Sequence, residues 1–527
     1  MNEYLLQVSA AGRNAVRRKD WATAGACAIE IRKHDENSPE GFFLAGLVDK
    51  ALDRPEQAEV SLARVLELDS ERYDAAIELA HLYSSARRNG DAAALVSRYE
   101  EKLSNSPVYL NLAGNVYSQV GMPEDAWPLY KKASELQPNV DAILEKLATS
   151  GVFLGKIDEA KQIFTGLLDR SPEHQRNHLS LARLEKAVDR KHIEQMKEVI
   201  SSTNLSPDRN VFMYYAIGKE LEDLEEWDEA FRYFKMAGDA VTSVADYDIN
   251  VDLKLIDKII EVCNADWLQE GEEDVATDTY SKQPIFIVGL PRTGTTLTDR
   301  IIASHSRAQS VGETQFMQMT VRRESGIESE EKMTPDMIEA TAKMDIGVIG
   351  RGYIDMLSYR LGDEPMFVDK LPFNFLYVGY IAKAFPKARI VYIRRNPMDA
   401  CFAMYKQVFT WAYKFSYTLQ GLGQFYVAFN RLLHHWREVL GDRLIEIEYE
   451  SLVADQENQT RQLLKDLGLD FEEACLNPDE NKSVSATASS VQIREKVHTR
   501  SVNRWKNYEE QLRPLKEHLE GAGISLD

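Results

Sequence analysis

Residues 284–296 read PIFIVGLPRTGTT, and this stretch decides the fold. Pro284 to Val288 form an apolar run that predicts a buried strand. Gly289 and Gly294 then bracket a short loop, and Thr295-Thr296-Leu297 opens a helix. The GxxxxG spacing is that of a P-loop, in which successive backbone N–H groups and the positive end of the following helix make an anion site. A nucleoside triphosphatase carries lysine directly after the second glycine; this chain has Thr295 there, with Arg292 two residues before Gly294. The loop is predicted to cradle a phosphate, and the missing lysine disfavours a P-loop kinase.

Downstream, strand-like runs recur at Met366-Phe367-Val368, at Arg389 to Ile393 and at Leu444 to Ile447, with helical stretches between them. Thr334-Pro335-Asp336 is an N-cap with proline at the first helical position, predicting one long helix to about Leu361. Strands alternating with helices imply a central parallel sheet covered on both faces, with ligands beyond the carboxyl ends of its strands. The polar residues expected at those ends are Arg292 to Thr296, Glu313, Asp369-Lys370 and Arg394-Arg395.

Four segments in this order resemble the sulfotransferases that use 3′-phosphoadenosine 5′-phosphosulfate (PAPS), and the resemblance covers roughly residues 283–520. PRTGTT at 291–296 is similar to that family's 5′-phosphosulfate loop, and IVYIRRNPMDA at 390–400 to its 3′-phosphate strand and helix. VDKLPFNF at 368–375 and RWKNY at 504–508 resemble further elements of the tyrosylprotein sulfotransferase branch. The resemblance implies an α/β, P-loop-like domain that uses PAPS as cosubstrate and requires no metal. Arg292, Thr293, Gly294, Thr295 and Thr296 would hold the 5′-phosphosulfate, and Arg395 the 3′-phosphate, with Arg394 as the alternative. Ser489 and Arg504 match nucleotide-contacting positions of the tyrosylprotein branch, and Trp505 is placed to pack on adenine or in the core. Glu313 lies 21 residues beyond Arg292, the family spacing for the catalytic base, with His305 as a rival. Lys370 and Arg292 would stabilise charge on the transferring group. One departure stands out: the family has serine eight residues after the 3′-phosphate arginine, and this chain has Ala403.

Upstream, small residues recur every 34 positions at Gly12, Gly46, Ala80, Gly114, Ala148 and Ala182. A second series, Ala24, Ala58, Ala92, Ala126 and Ala160, follows twelve residues behind. Two small residues per unit let paired antiparallel helices approach closely, with Tyr117, Tyr130 and Ala133 filling the seam of the fourth unit. The period resembles the tetratricopeptide (TPR) repeat. After an irregular stretch around 188–206, Gly218, Ala230, Phe234 and Ala237 mark a further unit. The chain is thus read as an α-helical TPR solenoid over 1–265, an acidic and polar linker over 266–282, and a sulfotransferase-like domain over 283–527. A solenoid of this kind is expected to take a protein or peptide on its concave face.

Composition narrows the function. The net charge of −21 argues against a nucleic-acid binder, since phosphate backbones need clustered Lys and Arg. Cys27, Cys263, Cys401 and Cys475 are scattered without a CxxC, so neither a disulfide framework nor a zinc site is signalled. No signal peptide and no transmembrane run are read, and a cytoplasmic protein is expected. The leading expectation is sulfuryl transfer to an acceptor hydroxyl, on a tyrosine of a protein recruited by the repeats. The alternatives are a glycan, lipid or small-molecule acceptor, and a TPR scaffold with a degenerate sulfotransferase domain.

Overall fold

The structure, a computed structural model, describes residues 3–526 except 271–280, 330, 410–411, 482, 485–486 and 488–489. The chain divides into two compact units, Met1–Gly151 and Val152–Asp527.

The first unit is built of antiparallel helix pairs, the first four being Glu3–Arg17 with Trp21–His34, Pro39–Ala51 with Pro55–Leu68, Tyr73–Ser85 with Asn89–Tyr99, and Pro107–Gln119 with Pro123–Leu136. Proline at the first turn starts four of these helices, where its missing N–H costs nothing. The periodic small residues sit where the pairs close. A methyl group on Gly114 would lie 2.7 Å from the Tyr130 ring, and one on Gly46 2.8 Å from Leu62. Successive pairs are tied by charge. Arg13 meets Glu40 at 2.6 Å and Asp74 at 3.1 Å, while Arg72 meets Asp74 at 2.7 Å.

The second unit holds a five-stranded sheet: β1 (Gln283–Gly289), β2 (Ala308–Gly312), β3 (Met366–Lys370), β4 (Arg389–Arg394) and β5 (Leu444–Glu448), in the order β2-β3-β1-β4-β5. Every pairing is parallel, and β1 is central, with Ile287 opposite Lys370 on one side and Val391 on the other. Side chains alternate across the sheet as a period of two requires. Ile285, Ile287, Val368 and Val391 pack with Ile301 and Ile302 of helix Thr295–Ala303. Phe286, Val288, Phe367 and Ile390 face the larger core on the other side.

That larger core recruits helices far upstream of the sheet. Helix Ile249–Val262 packs on helices Leu419–Leu440 and Pro335–Thr341, with Ile256 and Ile259 fully buried. Helix Val211–Asp223 and its partner Trp227–Thr242 belong to the same core, and Gly218 is in close approach to Phe234, as the repeat predicts. The expected linker 266–282 begins inside helix Ala265–Gln269, whose Trp267 indole donates to the Ala342 carbonyl at 2.9 Å. Its residues 271–280 lie outside the described residues.

Two expectations are corrected. The long helix from Thr334 to Leu361 is two helices, Pro335–Thr341 and Ile346–Leu357. Asp345 accepts from the Gly347 N–H and starts the second, so a cap inside the apparent run resets the axis. The irregular stretch around 188–206 contains helix Lys191–Thr203, ended by Asn204 in the left-handed conformation.

Candidate functional site

The site is assembled at the carboxyl ends of β1, β3 and β4, with the segment after β2 closing one side. Beyond β1 the chain turns through residues 290–294. Thr293 folds its hydroxyl back to the Leu290 carbonyl at 2.8 Å, and Arg292 adopts a left-handed φ of 68°. Gly294 has φ 102° and caps helix Thr295–Ala303; a methyl group there would lie 2.5 Å from the Tyr449 ring. The loop thus presents the first turn of that helix, with Thr293, Thr295 and Thr296 buried around it. Free N–H groups of a first helical turn are anion donors.

Two arginines close on this loop. Arg395, just past β4, is 8 % exposed and donates Nη1 to the Arg292 carbonyl and Nη2 to the Ser501 carbonyl, both at 2.6 Å. Its Nε has no partner among the described residues. Arg394 points the other way and pairs with Glu448 at the sheet edge, as alternation requires. Arg292 reaches Gln492. Burial pushes its guanidinium down to about 10, and the positive charges of Arg395 and Arg183 add to that fall. Arg183, on helix Gln175–Leu184, is itself lowered to about 10 by burial. Cations drawn together repel one another, an electrostatic cost that a bound polyanion relieves.

Opposite these, Lys370 at the end of β3 donates to Glu313. The ammonium is 1 % exposed, whereas the Glu313 side chain is 35 % exposed and faces outward. The structure therefore joins these two predicted residues in one ion pair. It does not pair Lys370 with its chain neighbour Asp369, which lies on the other face of β3. There Asp369 accepts from the hydroxyls of Thr314 and Tyr353, the latter at 2.8 Å. Through Thr314 this buried carboxyl fixes the backbone next to Glu313.

Burial raises Asp369 to about 7, against the pull of those two hydroxyls. The folded carboxyl keeps its proton to about pH 7, whereas the unfolded chain releases it near pH 4. Its contribution to stability is therefore full below about pH 4 and is lost as pH rises through 7. Asp369→Asn is expected to gain on the wild type between pH 4 and pH 8, by on the order of 4 kcal/mol at most. Urea denaturation at the two pH values measures this, and a constant difference between the proteins would refute it.

Several site residues were not legible in the sequence. Asp299, on helix Thr295–Ala303, is buried, and its Oδ1 has no hydrogen-bond partner among the described residues. Burial raises its pKa, against which the nearby Lys370 charge and a hydrogen bond from Ser310 act. Ser310 also accepts from the Gly312 N–H at 3.1 Å, just before Glu313. Asp399 accepts from the N–H groups of Asn503 at 2.6 Å and Trp505 at 3.0 Å, tying the C-terminal segment to helix Pro397–Tyr405. Tyr413 is raised by burial and by the Glu313 charge, and its ring meets Phe373 at 5.5 Å and Phe409 at 4.9 Å. Asp399 and Ser310 lay inside quoted motifs without being singled out, Asp299 lies one helical turn past Thr296, and Tyr413 is brought in by long-range packing.

The remaining expected residues are placed as follows. Arg504 is engaged by Glu222 at 3.6 Å and lies 4.9 Å from the centre of the Trp227 ring. Trp505 is buried in the larger core. His305 has both ring nitrogens occupied, Nε2–H by the Asp470 carbonyl at 2.9 Å and Nδ1 by the Arg307 N–H at 3.0 Å. These contacts hold the ring in a structural role at the far end of helix Thr295–Ala303. Ser489 lies outside the described residues. Among the described residues no group of three or more His, Cys, Asp or Glu side chains is arranged to hold a metal ion, and no helix is long and apolar enough to cross a membrane.

Residues 284–473 match the profile of the Sulfotransferase family. An uncharacterized protein of Aquifex aeolicus is 27% identical over 437 residues, 81% of this chain and 57% of its own length. The protein-tyrosine sulfotransferase of Drosophila melanogaster is 23% identical over 249 residues, 45% of this chain and 50% of its own. The chain thus spans about half the length of these two relatives. Among solved structures, the sulfotransferase domain of the Synechococcus PCC 7002 olefin synthase is 19% identical with a TM-score of 0.34, covering 47% of this chain and 98% of that one. The TPR protein YrrB is 15% identical with a TM-score of 0.29, covering 39% and 96%. With the glycine-bracketed loop, the parallel sheet and the profile match falling on the same residues, residues 284–473 of this chain form a domain of the sulfotransferase family.

Proposed function

We propose that this protein transfers a sulfuryl group from PAPS to an acceptor hydroxyl. The observation that carries the reading is the Lys370–Glu313 pair held at the strand ends beside a P-loop-like turn that lacks the triphosphatase lysine. The residues present suit this donor. The cradle of 290–296 leaves no room for a side chain at Gly294, and cations Arg292, Arg395 and Arg183 gather at one end. When bound, PAPS supplies the sulfuryl group and a bisphosphorylated leaving nucleotide.

In this reading the loop N–H groups, with the Thr295 and Thr296 hydroxyls, hold the 5′ end of the donor, and Arg395 its 3′-phosphate. Glu313, the exposed member of its pair, takes the proton of the attacking hydroxyl. Lys370, buried behind it, faces the negative charge that builds on the bridging oxygen. Positioning and charge stabilisation dominate such a displacement. The aromatic wall of Phe373, Phe409 and Tyr413 beside Glu313 favours an acceptor that is itself a ring, such as a tyrosine phenol. The helix pairs of the N-terminal region would recruit the protein that carries it, within domains 1–265 and 283–527 joined by 266–282.

The test is thermal stability with 3′,5′-adenosine bisphosphate against ADP, without added divalent cation. At about a hundred times its dissociation constant a ligand adds ~2.7 kcal/mol, which is readily seen. Stabilisation by the bisphosphate alone is the expected result. Stabilisation by neither would leave the scaffold reading with Ala403 as its sign, and by ADP alone would point to a kinase.

A further inference from the structure

Helix Val211–Asp223 belongs to the repeat-like helices, yet one of its side chains reaches the motifs expected around the donor nucleotide. Glu222 accepts from Lys406 through both carboxylate oxygens, at 2.7 and 2.9 Å. The same carboxylate accepts from the Tyr508 hydroxyl at 3.1 Å and lies 3.6 Å from Arg504 Nε. Its side chain is largely buried, as is that of Lys406. Arg504 and Tyr508 are the ends of the RWKNY segment, and the Trp227 ring lies against both.

Lys406 follows helix Pro397–Tyr405 directly and is three residues beyond Ala403. Residues three apart share a helix face. Lys406 therefore stands on the face where the family pattern has a serine hydroxyl and this chain has none. Its charged neighbours are Glu222, Arg504 and Arg395. Arg395 in turn holds the Ser501 carbonyl, and Asp399 holds the amides of Asn503 and Trp505. A segment so fixed at both ends keeps Arg504 next to Lys406 in the resting state. Lys406 and Arg504 share Glu222 as their counter-charge, so the two cations are held side by side before a phosphate arrives.

We propose that Glu222 is a positioning residue for a phosphate monoester site formed by Arg395, Lys406 and Arg504, which takes the 3′-phosphate of the donor nucleotide. This rests on the reading of the loop as a PAPS site. Lys406 replaces the absent hydroxyl at position 403, and a carboxylate from outside the sulfotransferase-like segment holds the cations in place before the nucleotide arrives. It follows that residues 283–527 alone lack part of their own donor site.

The experiment is calorimetric titration of the full chain with 3′,5′-adenosine bisphosphate and, separately, with 5′-AMP, which lacks the 3′-phosphate. For Glu222→Gln the expected result is about a tenfold or greater loss of bisphosphate affinity with 5′-AMP affinity unchanged. Glu222→Asp should recover part of the loss. Unchanged or tighter bisphosphate binding in Glu222→Gln would overturn the proposal, because the carboxylate would then be idle or a competitor. Equal losses for both nucleotides would also overturn it, since they report general damage. If Glu222→Gln does not fold, Lys406→Met carries the same test: a loss confined to the bisphosphate supports the site, and no loss removes it. A wild type that fails to prefer the bisphosphate over 5′-AMP would instead sink the PAPS reading itself.

Discussion

Glu313→Ala is expected to lower the turnover of sulfuryl transfer by about 10²–10⁴, the range for removing a positioned general base. The same substitution should also destabilise the protein, for a reason separate from catalysis. Lys370 is 1 % exposed and Glu313 35 %. Truncating the glutamate strands a buried ammonium, whereas truncating the lysine leaves a carboxylate that water reaches. Breaking a buried pair costs about 3–5 kcal/mol, and the partial exposure of Glu313 places this one near the low end. Lys370→Ala should therefore cost less stability than Glu313→Ala, while still losing about 10²–10³ in turnover with the charge it places at the transfer point. The double variant should lose less activity than the product of the two, because the pair acts as a unit. Urea midpoints and single-turnover rates separate the two effects. Equal stability of the single variants would mean that Lys370 finds another partner, and Asp299, whose carboxyl already feels the Lys370 charge, is the candidate. An unchanged rate in Glu313→Ala would remove it as the base.

Gly294→Ala is expected to abolish donor binding. The residue sits at φ 102°, and its methyl group would meet the Tyr449 ring at 2.5 Å. Left-handed strain costs a non-glycine residue ~1–3 kcal/mol, and overpacking adds a similar amount. Tyr449 has little room to yield, since it is buried in the core and the Arg395 guanidinium lies 4.8 Å from its ring centre. The strain should therefore be relieved by moving the loop, which carries the first-turn N–H groups away from the phosphate. Calorimetry with 3′,5′-adenosine bisphosphate checks this. Near wild-type affinity together with a near wild-type denaturation midpoint would show that the loop is not held as described.

How much of this was legible depended on the range of the interaction. The P-loop-like turn, β1, β3, β4 and β5 were readable because each is encoded locally, by an apolar run bounded by glycine or charge. β2 was not singled out as a strand: it is a five-residue edge strand in which only Ala308 and Val311 are deeply buried, and its register breaks between Ser310 and Gly312. The break at residues 342–345 was hidden because the apolar pattern continues across it. Glu313 and Lys370 were legible as a motif, but their ion pair was not, because it joins segments 57 residues apart. Arg183 and Glu222 were not singled out; a helical period explains a packing face and says nothing of a charged side chain that leaves it for a distant loop.

The unit that holds the sheet begins at Val152, and this sets a problem of timing during synthesis. The first unit is made of neighbouring helix pairs and can close as it leaves the ribosome. Helix Ile249–Val262 cannot, because the surfaces that cover Ile256 and Ile259 belong to helices Pro335–Thr341 and Leu419–Leu440, made much later. Helix Leu419–Leu440 in turn waits for Arg513–Gly521, whose Leu515 and Leu519 are fully buried in the same core. Until then the nascent chain displays a finished helical array followed by an unpaired apolar face, the condition that invites chaperone capture or aggregation.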